Sequence, residues 1–122
     1  MPFVNDAVLD AALNNANDGD RIDICSQEPA NYTEATSTYT LGNKTGLTGG
    51  APANASPNGR KIAVPAITDG DVTATGTATH WGYSHVSATE LKAAGSLSSS
   101  QGVTSGNTFS LDAIDIRFPD PT

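Results

Sequence analysis

Thr73-Ala74-Thr75-Gly76-Thr77-Ala78-Thr79-His80-Trp81-Gly82-Tyr83 opens a half-chain of small, β-favouring residues that runs on to Phe118. It continues as Glu90-Leu91-Lys92-Ala93-Ala94-Gly95-Ser96-Leu97. It closes with Asn107-Thr108-Phe109-Ser110-Leu111-Asp112-Ala113-Ile114-Asp115-Ile116-Arg117-Phe118, where apolar and polar residues alternate. Alternation at period two marks a strand with one wet face and one buried face. Segments of this kind between Gly/Ser turns predict an antiparallel meander, with breaks at Ser87-Ala88-Thr89 and at Ser100-Gln101-Gly102 and a last strand or pair from Val103 to Phe118. A sheet with one apolar face needs a second layer, which is expected from the first half of the chain. The predicted fold class is therefore mainly β, an antiparallel β-sandwich with one short N-terminal α-helix, as a single domain over 1–122.

Upstream of this stretch, Arg60-Lys61-Ile62-Ala63-Val64-Pro65-Ala66-Ile67 reads as a strand with Ile62 and Val64 inward. Asn58-Gly59 is a turn signal leading into it, and Asp69-Gly70-Asp71 is the expected turn after it. Residues 42–59 hold five glycines and two prolines in eighteen positions. They read as a flexible loop and as the best candidate for an exposed contact surface. The polar run 30–41 is anchored by Tyr32 and Tyr39, with a helical turn expected at Glu34-Ala35 and a short segment near Tyr39-Leu41. Arg21-Ile22-Asp23-Ile24-Cys25-Ser26 alternates as a first strand, Ile22 and Ile24 inward, and ends at Gln27-Glu28-Pro29 because proline cannot donate to a ladder.

The N-terminus, 3–16, reads as an amphipathic helix lying across one end of the sandwich. Val4, Val8, Ala11 and Ala12 fall near one face, with Leu9 and Leu13 beside it. Asn5 is placed to cap it, and Asp6 and Asp10 sit where the helix dipole favours negative charge. Asn17-Asp18-Gly19-Asp20 stops it, with Gly19 expected in the left-handed conformation that follows many helices. At the other terminus, 119–122 read as an extended tail.

Composition narrows the function classes. The 122 residues carry a formal charge of −7, which sets the protein against nucleic-acid phosphates. Only 16% of residues are charged, so much of the surface is small and uncharged, as suits a chain that meets other protein. No apolar run approaches the length of a membrane span and no signal-like N-terminus is present, so neither membrane insertion nor export by a cleaved signal is expected. The single cysteine, Cys25, reads as a reduced core thiol.

No constellation carries catalysis. His80 and His85, the two histidines, are five apart on a strand and point to opposite faces, and no further ligands stand at metal-binding spacing. Asp18, Asp20 and Asp23 gather near one turn but lack the remaining oxygens and closing glutamate of a calcium loop. Serine is abundant without a Gly-x-Ser-x-Gly elbow. Hydrolysis of a surface sugar would require two spaced carboxylates, for which Asp69, Asp71, Asp112 and Asp115 are the candidates. Trp81 and Tyr83 share a strand face, either as the core anchor or as an aromatic sugar platform. No catalytic, cofactor-binding or metal-binding residue is assigned, and no cofactor is expected.

Several stretches together carry a resemblance. Arg21-Ile22-Asp23-Ile24-Cys25-Ser26-Gln27-Glu28-Pro29 and Gly59-Arg60-Lys61-Ile62-Ala63-Val64-Pro65-Ala66 are two of them. The others are Gly76-Thr77-Ala78-Thr79-His80-Trp81-Gly82-Tyr83, then Ala94-Gly95-Ser96-Leu97 and Ser105-Gly106-Asn107-Thr108-Phe109. In this layout the chain resembles small virion-associated structural proteins of tailed bacteriophages. The resemblance implies a jelly-roll-like β-sandwich, no enzymatic activity, and a place in the virion after assembly in the bacterial host cytoplasm. The leading expectation is a capsid decoration, or cement, protein that stabilises the head shell. It would bind the major capsid protein and copies of itself as a homotrimer, with no nucleic acid and no membrane. The alternative is a tail or fibre component contacting the host surface. Phe3, Val4, Leu47, Pro52, Pro57 and Phe118 are the expected partner contacts.

Overall fold

The computed structural model describes residues 5–55 and 59–118. Phe3, Val4, Pro57, the Asn58 half of the expected turn and the 119–122 tail lie outside the described residues. The chain is mainly β: among the described residues an α-helix, α1 (Asp6–Ala16), precedes nine strands arranged in two antiparallel sheets. In chain order these are β1 (Arg21–Cys25), β2 (Thr40–Thr45), β3 (Ala53–Asn54), β4 (Arg60–Val64) and β5 (Ile67–Val72). They are followed by β6 (Gly76–His85), β7 (Glu90–Val103), β8 (Thr108–Leu111) and β9 (Ile114–Phe118). The larger sheet has the order β7-β6-β1-β2-β5-β8 and the smaller β3-β4-β9.

The alternating pattern of the sequence sets the faces. Ile22 and Ile24 stand opposite Tyr83 and Trp81 across the β1–β6 ladder, and all four are buried in the main core. Leu41, Val72, Ala78, Val103, Phe109 and Leu111 complete that layer from the larger sheet. The smaller sheet contributes Ile62, Val64, Ile114 and Ile116, which pair across β4–β9 as Ile62↔Ile116 and Val64↔Ile114. Val64 joins the main core, while Ile62 meets Leu13 and Ala16 of α1, so the small sheet is shared between the helix and the large sheet.

Several expectations are corrected by the tertiary arrangement. The first half of the chain does not supply the covering layer alone. β1 and β2 enter the same sheet as β6 and β7, and the covering layer combines α1 and β4 with the C-terminal strand β9. The second half is no simple meander: β6 and β7 form a hairpin, but β8 lies at the far edge beside β5 and β9 leaves for the other sheet. Residues 42–45, expected to be loop, are the end of β2, whose ladders with β1 and β5 satisfy the backbone despite its Gly-Asn-Lys composition. Asp69-Gly70-Asp71 is not a turn but part of β5. Gly70 leaves room there for the ring of Phe109, which a methyl group would overlap at 2.3 Å. The turn lies earlier, at Pro65-Ala66. β7 continues through Ser100-Gln101-Gly102, where a linker was expected.

The helix begins one residue after Asn5, whose side chain accepts from the Ala7 amide at 2.8 Å as a cap. Its buried face is Leu9, Leu13 and Ala16, at the i, i+4, i+7 spacing of one helical stripe. Val8, expected inward, is 61% exposed, because the small sheet takes the leucine side. Arg60 of β4 holds Asp10 through both carboxylate oxygens at 2.7 and 3.0 Å, fixing how the helix lies on that sheet. Gly19 is not among the described glycines with positive φ. Its role is close approach: a methyl group there would stand 2.4 Å from the Tyr83 ring.

β1 is buried on both faces, which period-two alternation does not foretell. A single wide helical turn, Glu34–Thr38, covers the outer side of β1, β2 and β6. Its start is held by a reciprocal cap, in which Asn31 Oδ1 accepts from the Glu34 amide and Glu34 Oε1 from the Ala30 amide. This is the helical turn expected at Glu34-Ala35, extended by three residues.

Candidate functional site

The six-stranded sheet curls so that its two edge strands, β7 and β8, face one another. Gln101 Nε2 donates to the Ser110 carbonyl at 3.1 Å and ties the edges at one point. Away from that tie the edges part and leave a cleft of about 560 Å³, bordered by 95–99 and Gln101 on β7 and by 110–115 on the β8–β9 side, with Trp81 between them.

Two local features of the sequence open this cleft. The first is a bulge larger than the usual two-against-one: in the β6–β7 ladder Ala78 pairs with Gln101 but His80 with Ser96, so residues 97–100 stand against Thr79 alone. Bulges of this kind bend a strand and re-aim its side chains, and they recur beside binding sites. The second is Gly95. A methyl group there would stand 3.0 to 3.1 Å from Cζ2, Cε2 and Nε1 of Trp81, so its absence lets the indole lie against the β7 backbone. Trp81 is 9% exposed, counted in the core, and still borders the cleft. The core and platform readings of Trp81 are thus not alternatives: the ring belongs to the core and one edge reaches the opening. Tyr83 lies deeper, fully buried, with its hydroxyl donating to the Gly19 carbonyl at 2.6 Å.

Of the four candidate carboxylates, Asp112 and Asp115 border the cleft while Asp69 and Asp71 stay on β5 outside it. Asp115 is paired with Lys61 at 3.1 Å and Asp69 with Lys44 at 3.1 Å. Sequence spacing could not bring Asp112 beside Trp81, because Trp81 lies on β6 and Asp112 in the connection that leaves the edge strand β8 for β9. The histidines do not converge with them. His80 Nδ1 is 2.8 Å from its neighbour Thr79 Oγ1, and His85 Nε2 is 3.3 Å from Ser87 Oγ. Among the described residues no group of three or more His, Cys, Asp or Glu side chains could hold a metal ion.

A second polar cluster lies on the outer side of β1 and is structural in geometry. Asp23 is completely buried and accepts from Arg21 Nε at 2.8 Å, Arg21 Nη2 at 2.9 Å and Thr40 Oγ1 at 2.7 Å. Burial pushes its carboxyl above the ordinary value, with Arg21 and Thr40 pulling back against that rise. Asp18 and Asp20 do not join it. Asp20 turns to the Val86 amide at 3.0 Å, so the expected acidic turn is dispersed. Cys25, adjacent on β1, is a free buried thiol that approaches the Ala35 carbonyl at 3.6 Å, and burial pushes it up to about 12.

The expected partner contacts fall in separate places. Leu47 is half-buried against the main core, and its amide donates to the Asp20 carbonyl at 3.0 Å. Pro52 and Phe118 both border Arg60: the Pro52 carbonyl accepts from Arg60 Nη2, and Phe118 is the ladder partner of Arg60. Phe118 is 38% exposed. Phe3, Val4 and Pro57 lie outside the described residues. Asp112 is one of the candidate carboxylates of the sequence, but the grouping of Ser96, Ser98, Ser99 and Ser110 with it beside Trp81 is not foreseen there.

No family model, no curated protein and no solved structure matches the chain. Among the described residues no helix is long and apolar enough to cross a membrane.

Proposed function

We propose that this chain is a non-enzymatic structural protein of a bacteriophage virion. In this reading it is a capsid decoration protein that binds the major capsid protein and further copies of itself. The observation that carries the reading is the edge strand β7. It is 14 residues long, lies at the border of the larger sheet, and has neither a charged residue nor a proline from 93 to 103. Solitary proteins guard such edges with lysines, prolines or short strands, because unpaired backbone groups recruit other chains. Apart from Gln101, which is tied to the Ser110 carbonyl, this edge is unguarded in that way, which suits a protein whose surface is covered on assembly. The polar groups with chemical potential are engaged elsewhere: Asp23 by Arg21, Cys25 by burial, and Asp10 by Arg60. Many symmetric copies, each with modest contacts, would stabilise a shell through summed burial and avidity.

Imaging of virions with antibody to this chain tests the reading, with label expected on the head. Label confined to the tail rejects it. The cleft beside Trp81 favours a second reading, a tail or fibre component that contacts the host surface. That reading expects antibody to block adsorption, whereas antibody to a head decoration protein leaves adsorption largely intact.

A further inference from the structure

The geometry points to a ligand class for the β7–β8 cleft: we propose that it binds a neutral saccharide of one or two rings, with Trp81 as the apolar wall and Asp112 as the principal hydroxyl acceptor. About 560 Å³ lies within the range of small-molecule sites and is too little for a folded partner. The wall against Gly95 is aromatic, and among the described residues Trp81 Nε1 meets no acceptor. An indole with a free N–H offers an apolar surface and a donor together, which matches the mixed C–H and O–H surface of a sugar.

The rest of the lining is mixed: Leu97, Leu111, Ala113 and Ile114 add apolar surface, and hydroxyls, an amide and carboxylates lie between them. Ser96, Ser98, Ser99 and Ser110 border the cleft, and each hydroxyl can both donate and accept. Gln101 uses Nε2 on the Ser110 carbonyl and keeps Oε1 as an acceptor. The ionisable groups are Asp112 and Asp115, with Lys61 already on Asp115, so a phosphate or carboxylate ligand would meet negative charge. A purely apolar ligand would strip water from these groups without replacing their hydrogen bonds. A strand of another chain running the length of the cleft would have to break the Gln101–Ser110 tie, whereas a compact polyol fits beside it. The site sharpens the host-surface reading, but it is tested on the isolated chain, so its failure leaves the location in the virion undecided.

Trp81 is the only tryptophan, so intrinsic emission reports the cleft. The full chain is titrated with glucose, galactose, mannose and N-acetylglucosamine, each as monosaccharide and as disaccharide. A saturable change in emission is expected with at least one of them. Asp112→Ala is expected to weaken it about tenfold or more, since a hydrogen bond to a charged acceptor is lost. Asp69→Ala, outside the cleft, leaves it unchanged. Asp112 is exposed, so its removal should not unfold the chain, and Ser110→Ala provides a second variant with a smaller loss expected. The proposal is overturned if none of these sugars gives a saturable change, or if Asp112→Ala and wild type respond alike. It is also overturned if a serine-rich extended peptide saturates the signal and the sugars do not.

Discussion

The Tyr83 hydroxyl donates to the Gly19 carbonyl at 2.6 Å, joining the C-terminal part of β6 to the turn between α1 and β1. Tyr83 is fully buried, and its ring fills the space a side chain at position 19 would need. The helix, the first strand and the longest hairpin are therefore located by one contact between residues 64 apart. Tyr83→Phe removes the donor and leaves a buried carbonyl unsatisfied, which should destabilise the fold by about 1–3 kcal/mol. Gly19→Ala forces the ring or the turn to move, at a cost of about 1–3 kcal/mol. Urea midpoints of the two variants and of the double variant check this, and the double variant should fall short of the sum because both changes act on one contact.

Asp23 makes a prediction with a definite sign. Its folded-state carboxyl lies above the ordinary value of 3.8 because burial penalises the charge more than Arg21 and Thr40 favour it. A raised folded value means that the folded form holds the proton more tightly than the unfolded form. The contribution of this group is fully present below 3.8 and is lost as pH rises through the folded value. The difference in unfolding free energy between wild type and Asp23→Asn should therefore shift in favour of wild type as pH falls through that window. A shift toward the variant would show that pairing with Arg21 outweighs burial. At neutral pH, Arg21→Ala leaves an uncompensated buried carboxylate and should cost about 3–5 kcal/mol.

Cys25 should be chemically silent in the native state. The thiol is buried, and its value of about 12 leaves very little thiolate at pH 8. Alkylation by iodoacetamide should be negligible in buffer and rapid in concentrated urea, with one thiol modified per chain. Fast labelling without denaturant would place Cys25 at the surface.

Trp81 borders the cleft but is a core residue first. Trp81→Ala should lower stability by about 3–5 kcal/mol. Trp81→Phe keeps an aromatic ring against Gly95 and should cost less. Thermal unfolding by circular dichroism distinguishes them, and a Trp81→Ala variant with wild-type stability would remove the ring from the core.

Much of the architecture is legible in local pattern. Ile22 and Ile24, and Ile62 and Val64, are inward as period-two alternation requires, and Asn5 caps the helix as its side chain and position require. Less legible is where polar or glycine-rich segments become strands. The end of β2 and the Asp69-Gly70-Asp71 part of β5 have poor intrinsic β preference and are strands because their neighbours supply the ladders. The bulge at 97–100 follows the same logic: its register is set by β6, so Ser100-Gln101-Gly102 belongs to β7 and not to a linker.

By itself the sequence determined the mainly β fold class, the N-terminal helix and the inward side of most strands, because alternation and caps depend on residues a few positions apart. Tertiary structure alone decided that β1 lies between β6 and β2, that Asp23 is completely buried with Arg21 and Thr40 on it, and that Trp81 and Asp112 border one cleft. Sheet hydrogen bonds join backbones of any composition across any distance in sequence. Period two states which face a residue takes, while its strand's neighbour is set by the packing of the whole chain.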